Sequence, residues 1–323
     1  MLRTLSILIY LILISVGGLL LFGPRAPIDG PIAIEESAIA ADPAGWLAAK
    51  EAVVADLRLG AEARVVWANA GEAETEFAVV YIHGFSATTE EIRPVPDRVA
   101  GALGANLVFA RLTGHGRDGD AMAEAAVPAW RQDVAEALAV GRAVGRRVIV
   151  MGTSTGGSLA AIAAFDQRVN ADIAGLVLIS PNFKLNDFAG AVLDFPFARH
   201  LVPAIVGPER SFAPQSEAHA AWWTTSYPST ALVPVGATVR AANALPFFRS
   251  ETPVLFAYSP DDLVVDAGRT AAVAEAWGGP VTVHEVGIGP GIDPFAHVIA
   301  GDILSPEGTE PMIEAILAWA ETL

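Results

Sequence analysis

The sequence predicts an α/β fold, a mostly parallel central sheet with helices on both faces, preceded by an apolar N-terminal helix. From residue 64 onward, short apolar runs alternate with amphipathic segments. Most of these runs lack apolar–polar alternation, which is typical of strands buried on both faces of a parallel sheet. The strand–helix alternation favours three layers, with the sheet in the middle.

Seven apolar runs are strand candidates: residues 64–67, 77–82, 106–111, 147–151, 175–180, 254–258 and 281–286. The helix candidates between them include residues 89–101, 127–144 and 156–165. Residues of about 188–248 break the rhythm, because this segment is long, aromatic and rich in proline. We expect it to form a cap over the end of the sheet where ligands of open α/β sheets bind.

Composition excludes several classes of protein. The 323 residues carry 20 basic and 36 acidic side chains, a formal net charge of −16. Nucleic-acid binding is not expected, because phosphate contacts need clustered Lys and Arg. The chain is 53% hydrophobic and only 17% charged, which excludes intrinsic disorder. The absence of cysteine excludes disulfides, thiolate zinc sites and cysteine nucleophiles.

The N-terminus carries an uncharged apolar run at residues 5–22. As a helix it would span roughly 27 Å, close to the hydrocarbon thickness of a bilayer. We therefore expect residues 1–23 to be a single-pass transmembrane anchor. Arg3 and the amino terminus outweigh Arg25, which favours an extracytoplasmic (periplasmic) location for the rest of the chain. The alternative is a signal peptide whose cleavage releases a secreted protein.

Residues 24–41 are rich in proline and glycine and show no clear period, so we expect a stalk or linker. The globular domain is expected to cover residues 42–323. Its first helix should begin at Asp42 and Pro43, with the aspartate as N-cap and the proline in the first helical position.

The strongest chemical motif is the sequence Gly-Thr-Ser-Thr-Gly centred on Ser154. It lies between the strand candidate 147–151 and the helix candidate 156–165, which is the context of a G-x-S-x-G nucleophile elbow. Such a turn needs small flanking residues, and the following helix points its free N–H groups at the reacting centre. Ser154 is therefore the candidate nucleophile, and an ordinary Gly-Ser turn is the alternative.

A nucleophilic serine needs a base. In an elbow of this kind the base is a histidine that follows both the serine and an acid in the chain. His297 is the candidate, because it lies in a loop between the last strand candidate and the final helix. His200 and His219 fall in the expected cap, and His284 falls within a strand candidate.

The group that orients the base should be a carboxylate just beyond a strand end. Asp262 follows the strand candidate 254–258 and precedes the apolar run of Leu263, Val264 and Val265, which would pack the loop down. Asp261 is its competitor, and one of the two should be a solvated or turn-capping residue.

Two backbone N–H groups are candidates for an oxyanion hole. The strand candidate 77–82 ends in His83, Gly84 and Phe85, where the glycine allows a close approach and the Phe85 N–H can face a developing oxyanion. The N–H of Thr155, directly after the nucleophile, is the second expected donor. We expect His83 and His115 to be structural residues of their loops.

These motifs together resemble the α/β-hydrolase superfamily. Within it, the chain is similar to carboxylesterases and monoacylglycerol-lipase-like enzymes of the serine aminopeptidase S33 type, over about residues 64–323. The resemblance implies an eight-stranded, mostly parallel sheet and hydrolysis of an ester or amide through an acyl-enzyme on Ser154, Asp262 and His297. Thr155 stands where prolyl aminopeptidases typically have tryptophan, which disfavours a peptidase.

Substrate class is inferred from the cap, which offers few charges to recognise a polar substrate. Phe188, Trp222 and Trp223 are candidate pocket residues. We expect a medium acyl ester or a monoacylglycerol-like substrate, with no metal or other cofactor. An acyltransferase with the same triad and a catalytically silent binding protein of the same fold are the alternatives.

Overall fold

The computed structural model describes residues 2–186 and 189–323. The strands of these residues are β1 (Arg64–Val66), β2 (Thr75–Ile82), β3 (Asn106–Phe109), β4 (Gly145–Thr153), β5 (Ile173–Ile179), β6 (Glu209–Ser211), β7 (Ser226–Pro228), β8 (Val254–Tyr258) and β9 (Val281–Glu285). Each of the seven strand candidates is confirmed.

The main sheet has the strand order β1-β3-β2-β4-β5-β8-β9. Strand β1 runs antiparallel to β3, and every other neighbouring pair is parallel. The described residues therefore form a seven-stranded sheet, one strand fewer than the resemblance implied. The central strands are buried on both faces, which explains why their sequences lack polar alternation.

The helices are α1 (Leu2–Phe22), α2 (Glu36–Ala41), α3 (Pro43–Ala52), α4 (Val95–Leu103), α5 (Val127–Val144), α6 (Thr155–Phe165), α7 (Ala189–Leu193), α8 (Ala198–Val206), α9 (Glu217–Trp222), α10 (Val233–Asn243), α11 (Ala267–Ala276) and α12 (Pro306–Ala320). Helices α5, α6, α10 and α11 contribute to the core on one face of the sheet. Helices α4 and α12 pack on the other face. The three-layer α/β prediction is confirmed.

Helix α3 begins where the sequence predicted. The Asp42 side chain accepts a hydrogen bond from the Gly45 N–H at 2.8 Å, and Pro43 occupies the first turn. Residues 24–41 lie against the folded body: the Ala33 N–H donates to the Gln132 side chain, and Ile39 is only 1% exposed. The segment expected as a stalk therefore packs against the folded body. Its Ile39 side chain is buried in the core, and its backbone hydrogen-bonds to a side chain of α5.

Helix α1 covers the apolar run expected as an anchor. Within the part of the chain that the structure describes, no helix is both long enough and apolar enough to cross a membrane. The transmembrane anchor expected for residues 1–23 therefore gains no support from the structure.

The segment expected as a cap contains α7 to α10 and a two-stranded antiparallel ribbon of β6 and β7. Within this segment, the Thr224 N–H donates a hydrogen bond to the Ser86 carbonyl at 2.7 Å. This contact joins the cap to the loop that follows β2. The domain limits 42–323 and 188–248 stay predictions.

Candidate active site

Ser154 lies in a strained turn between β4 and α6. Its backbone has φ 53° and ψ −117°, in a region that L-residues rarely adopt. The turn closes only because the residues two positions before and after Ser154 are glycines: a Cβ on Gly156 would lie 2.1 Å from the Ile82 carbonyl oxygen, and one on Gly152 would lie 2.5 Å from the Gly156 carbonyl oxygen. Ser154 is 8% exposed. The sequence-predicted elbow geometry is present.

His297 and Asp262 complete a hydrogen-bonded chain from the serine. His297 Nε2 lies 2.9 Å from Ser154 Oγ, and His297 Nδ1 lies 2.8 Å from Asp262 Oδ2. An ionised carboxylate can only accept, so Nδ1 carries the proton. That tautomer leaves Nε2 free to accept the proton of the serine hydroxyl. The structure brings together the three residues that the sequence singled out.

Asp262 and Asp261 differ in burial and in their contacts with His297. Asp262 is 4% exposed, and its Oδ1 accepts hydrogen bonds from the Val264 and Val265 N–H groups at 2.7 and 2.9 Å. The Asn186 side chain also donates to the Asp262 carbonyl at 2.6 Å. Asp261 is exposed, and the carboxylate that contacts His297 Nδ1 is that of Asp262. Burial and backbone donors thus fix Asp262 against the imidazole.

A second buried carboxylate, that of Asp293, accepts a hydrogen bond from the backbone N–H of His297. Asp293 Oδ2 accepts from the N–H groups of His297 and Val298 at 3.4 and 3.3 Å, and its Oδ1 accepts from the Gln215 side chain of the cap at 2.9 Å. Burial lowers the pKa of His297, but the carboxylates of Asp262, Glu91 and Asp293 together more than offset this effect, so the pKa is raised above its ordinary value.

The loop after β2 places backbone groups beside the nucleophile. A Cβ on Gly84 would lie 3.2 Å from Ser154 Cβ. His83 Nε2 accepts from the Leu112 N–H at 3.2 Å, so its protonated Nδ1 donates to the Gly84 carbonyl at 2.8 Å. Burial lowers the pKa of His83 to about 4, which keeps the ring neutral. The loop-bracing role expected of His83 is therefore visible in the structure.

The oxyanion-hole role expected of the Phe85 and Thr155 N–H groups stays a prediction, and the structure shows how each of these groups is held. Thr155 is the first residue of α6, so its N–H has no acceptor within the helix. The Gly84 carbonyl and the Phe85 N–H belong to one planar trans peptide, so the hydrogen bond from His83 also fixes the direction of that N–H. The ring of Phe85 packs edge-on against His115 and Tyr227.

The candidate pocket residues have different surroundings. Trp223 is buried and packs edge-on against His219, with ring centroids 4.7 Å apart. Trp222 lies against Gly60, outside the cap, where a Cβ would be 3.0 Å from the indole. Phe188 lies outside the described residues. The structure therefore does not place these side chains against Ser154, and their role in substrate binding stays a prediction.

Sequence reasoning missed two buried carboxylates near the site, Glu91 and Asp293. Glu91 is 3% exposed and accepts hydrogen bonds from Gly84 and Tyr81. Adjacent Glu90 and Glu91 look alike in the sequence, although only Glu91 is buried. The sequence does carry a signal for Asp293, because it lies four residues before His297, a spacing that suits a carboxylate capping the histidine loop.

Comparison with known proteins agrees with this architecture. A family model described as serine aminopeptidase, S33, matches residues 73–285. No curated protein sequence matches the chain. Among solved structures, one described with the metagenome-derived lipolytic enzymes LipS and LipT is 20% identical, covers 83% of this chain and 100% of its own, and has a TM-score of 0.65.

Two monoacylglycerol lipases also share the fold. A soluble variant of monoglyceride lipase from Saccharomyces cerevisiae is 13% identical, with coverage of 81% of this chain and 90% of its own and a TM-score of 0.61. The lipase from Paleococcus ferrophilus is 16% identical, with coverage of 81% and 99% and a TM-score of 0.57. The family model spans most of the chain and the sheet is mostly parallel; the chain is a serine hydrolase of the α/β-hydrolase fold and belongs to the serine aminopeptidase S33 family.

Proposed function

We propose that the protein hydrolyses carboxylic esters through an acyl-enzyme on Ser154. The observation that carries the proposal is the hydrogen-bonded chain from Ser154 Oγ through His297 to Asp262. This chain provides a nucleophile, a base and a group that orients the base, which together define nucleophilic serine catalysis.

The mechanism follows from the positions of the protons. His297 Nε2 accepts the Ser154 proton as Oγ attacks the ester carbonyl carbon. Asp262 keeps the imidazole in the reactive tautomer and stabilises its cationic form. The N–H groups of Phe85 and Thr155 hydrogen-bond to the tetrahedral oxyanion, and each donor contributes roughly 3–4 kcal/mol to transition-state stabilisation. His297 then protonates the leaving alcohol, and a water molecule repeats the sequence on the acyl-enzyme.

A medium acyl ester or a monoacylglycerol-like substrate suits the surroundings best. The cap presents aromatic and aliphatic residues with few charges, so binding of the acyl chain rests on apolar contact. Similarity of fold to a lipolytic enzyme and to monoglyceride lipases supports the same class. Thr155 after the nucleophile disfavours a peptidase.

We further propose that α1 tethers the enzyme to a membrane, with the remaining chain on the periplasmic side. Support comes from the large apolar side chains of Tyr10, Ile14 and Phe22, which the folded body leaves exposed. Alkaline carbonate extraction should leave the full-length chain in the membrane fraction. A mature chain that begins after residue 23 would contradict the tether and indicate a secreted enzyme instead.

The ester-hydrolase proposal is tested with p-nitrophenyl esters of graded chain length, from acetate to palmitate. We expect turnover to peak at a medium acyl chain and to disappear in Ser154→Ala. Product analysis with an added acceptor alcohol separates hydrolysis from acyl transfer: free acid as the main product supports a hydrolase, and a new ester as the main product supports the acyltransferase alternative. An inactive wild type would favour a silent binding protein.

A further inference from the structure

The carboxylate of Glu91 lies beside the active site but takes no part in the proton transfers proposed above. It is buried, at 3% exposure, in the segment between β2 and α4. Its Oε2 accepts hydrogen bonds from the Gly84 N–H at 2.7 Å and from the Tyr81 hydroxyl at 2.9 Å. Burial of a carboxylate costs free energy unless hydrogen-bond donors compensate it, so the bonds from Gly84 and Tyr81 are what stabilise Glu91 at this position.

Gly84 is confined between the carboxylate and the nucleophile. A Cβ at this position would meet Glu91 Oε1 at 2.6 Å and Ser154 Cβ at 3.2 Å. The space between the two side chains therefore has no room for a Cβ on Gly84, and the Gly84 N–H is bonded to Glu91. A shift of Glu91 would therefore move the backbone that faces Ser154.

The oxyanion loop (residues 83–86) is held at three successive points. Glu91 accepts the Gly84 N–H, His83 donates to the Gly84 carbonyl, and Thr224 of the cap donates to the Ser86 carbonyl. Ser86 has φ 65°, so the loop needs such restraint to keep its conformation. The Phe85 N–H lies between these fixed points.

We infer that Glu91 is a positioning residue, which holds the oxyanion loop so that the Phe85 N–H faces the carbonyl oxygen of the bound ester. The inference rests on the ester-hydrolase function proposed above. Glu91 acts through Gly84 and does not touch the substrate. Its loss should therefore impair the transition state, where the oxyanion forms, more than the binding of the ester.

The negative charge of Glu91 has a second, measurable effect. Burial raises the pKa of Glu91 to about 7, although the hydrogen bonds from Gly84 and Tyr81 and the nearby His297 oppose the rise. His297 faces three carboxylates, those of Asp262, Glu91 and Asp293, and each of them raises its pKa. Glu91 is ionised above about pH 7, where its charge favours the imidazolium form of His297, so Glu91→Gln should lower the pKa of His297 and move the acid limb of kcat/KM to lower pH.

The test compares Glu91→Ala and Glu91→Gln with Glu90→Gln in the full-length chain. Glu90 is the matched control, because it is the same residue type one position away but pairs with Arg64 and Arg93. Rates with p-nitrophenyl butyrate are measured across pH, and circular dichroism verifies folding. Glu91→Ala should lose about 10-fold to 100-fold in kcat with less than about threefold change in KM, which is less than the roughly 10²–10³-fold cost of losing an oxyanion donor, because the Phe85 N–H is displaced and not removed.

Glu91→Gln should keep most of kcat, since its amide oxygen can still accept the Gly84 N–H, but its acid limb should lie at lower pH than that of the wild type. Glu90→Gln should match the wild type in both respects. A folded Glu91→Ala with wild-type kcat would overturn the inference. If Glu91→Ala does not fold, a folded Glu91→Gln that loses about 10-fold or more in kcat overturns it, because its amide oxygen can still accept the Gly84 N–H. A wild type that turns over no ester would refute the proposed function instead.

Discussion

His297 Nε2 lies 2.9 Å from Ser154 Oγ, although the two residues are 143 positions apart in the chain. The serine follows β4 and the histidine follows β9, and β5 and β8 separate these strands in the sheet. The strand order therefore creates the contact, since the carboxyl ends of parallel strands share one edge. At this distance the imidazole can take the hydroxyl proton directly.

The two neighbouring aspartates should differ sharply in their effect on rate. Asp262→Asn removes the acceptor that selects the reactive tautomer of His297, so kcat should fall by about 10⁴-fold with little change in KM. Asp261→Asn changes an exposed side chain and should stay within about twofold of the wild type. Steady-state kinetics on both variants measure the contrast. Equal losses in the two variants would mean that the acid is wrongly identified.

The pH profile should reflect the raised pKa of His297. The base must be neutral to accept the serine proton, and Asp262 holds its pKa above the ordinary 6.5. The acid limb of kcat/KM should therefore have its midpoint above 6.5, with activity lost as the pH falls through it. Measurement of initial rates at low substrate gives this midpoint. A midpoint below 6.5 would show that the partner carboxylates do not dominate over burial.

Two glycines of the same region provide a matched pair of substitutions. In Gly84→Ala the new methyl would lie 2.6 Å from Glu91 Oε1 and 3.2 Å from Ser154 Cβ, so the oxyanion loop must move. We expect kcat to fall by about 10²–10³-fold. In Gly101→Ala the methyl meets nothing within 4 Å, and α4 should gain up to about 1 kcal/mol of stability without a change in rate. Comparable kinetics in both variants would argue against the loop's role.

Asp293 should matter more to stability than its partner in the cap. Asp293→Ala leaves the N–H groups of His297 and Val298 without an acceptor, which should cost about 2 kcal/mol or more in the free energy of unfolding. Gln215→Ala removes only one donor to this carboxylate and should cost about 1 kcal/mol. Urea denaturation measures both values. If Asp293→Ala is as stable as Gln215→Ala, the carboxylate does not anchor the histidine loop.

The sheet and the triad were predictable because their determinants are local in the sequence. A doubly buried strand such as β8 reads as an unbroken apolar run, and the elbow at Ser154 needs glycines at fixed positions. The choice of Asp262 over Asp261 rested on the apolar residues that follow, and two of them, Val264 and Val265, donate their N–H groups to its carboxylate. Local pattern was sufficient for these features.

Other features depend on contacts between distant segments and left no local pattern. The burial of Glu91 arises from Tyr81 and Gly84 on the preceding strand and loop, so its sequence gives no reason to separate it from Glu90. The position of Trp222 against Gly60 depends on how the cap meets the first residues of the domain. The pocket residues proposed from aromatic content alone were therefore the least predictable part.

The most direct test of the account is labelling of Ser154 by a fluorophosphonate probe, which reacts only with an activated serine. The wild type should be labelled, with the adduct located on Ser154 by mass spectrometry, and Ser154→Ala should show neither labelling nor turnover of p-nitrophenyl esters. A folded wild type that resists the probe, or a Ser154→Ala variant that is labelled and active like the wild type, would contradict the assignment of Ser154 as the nucleophile.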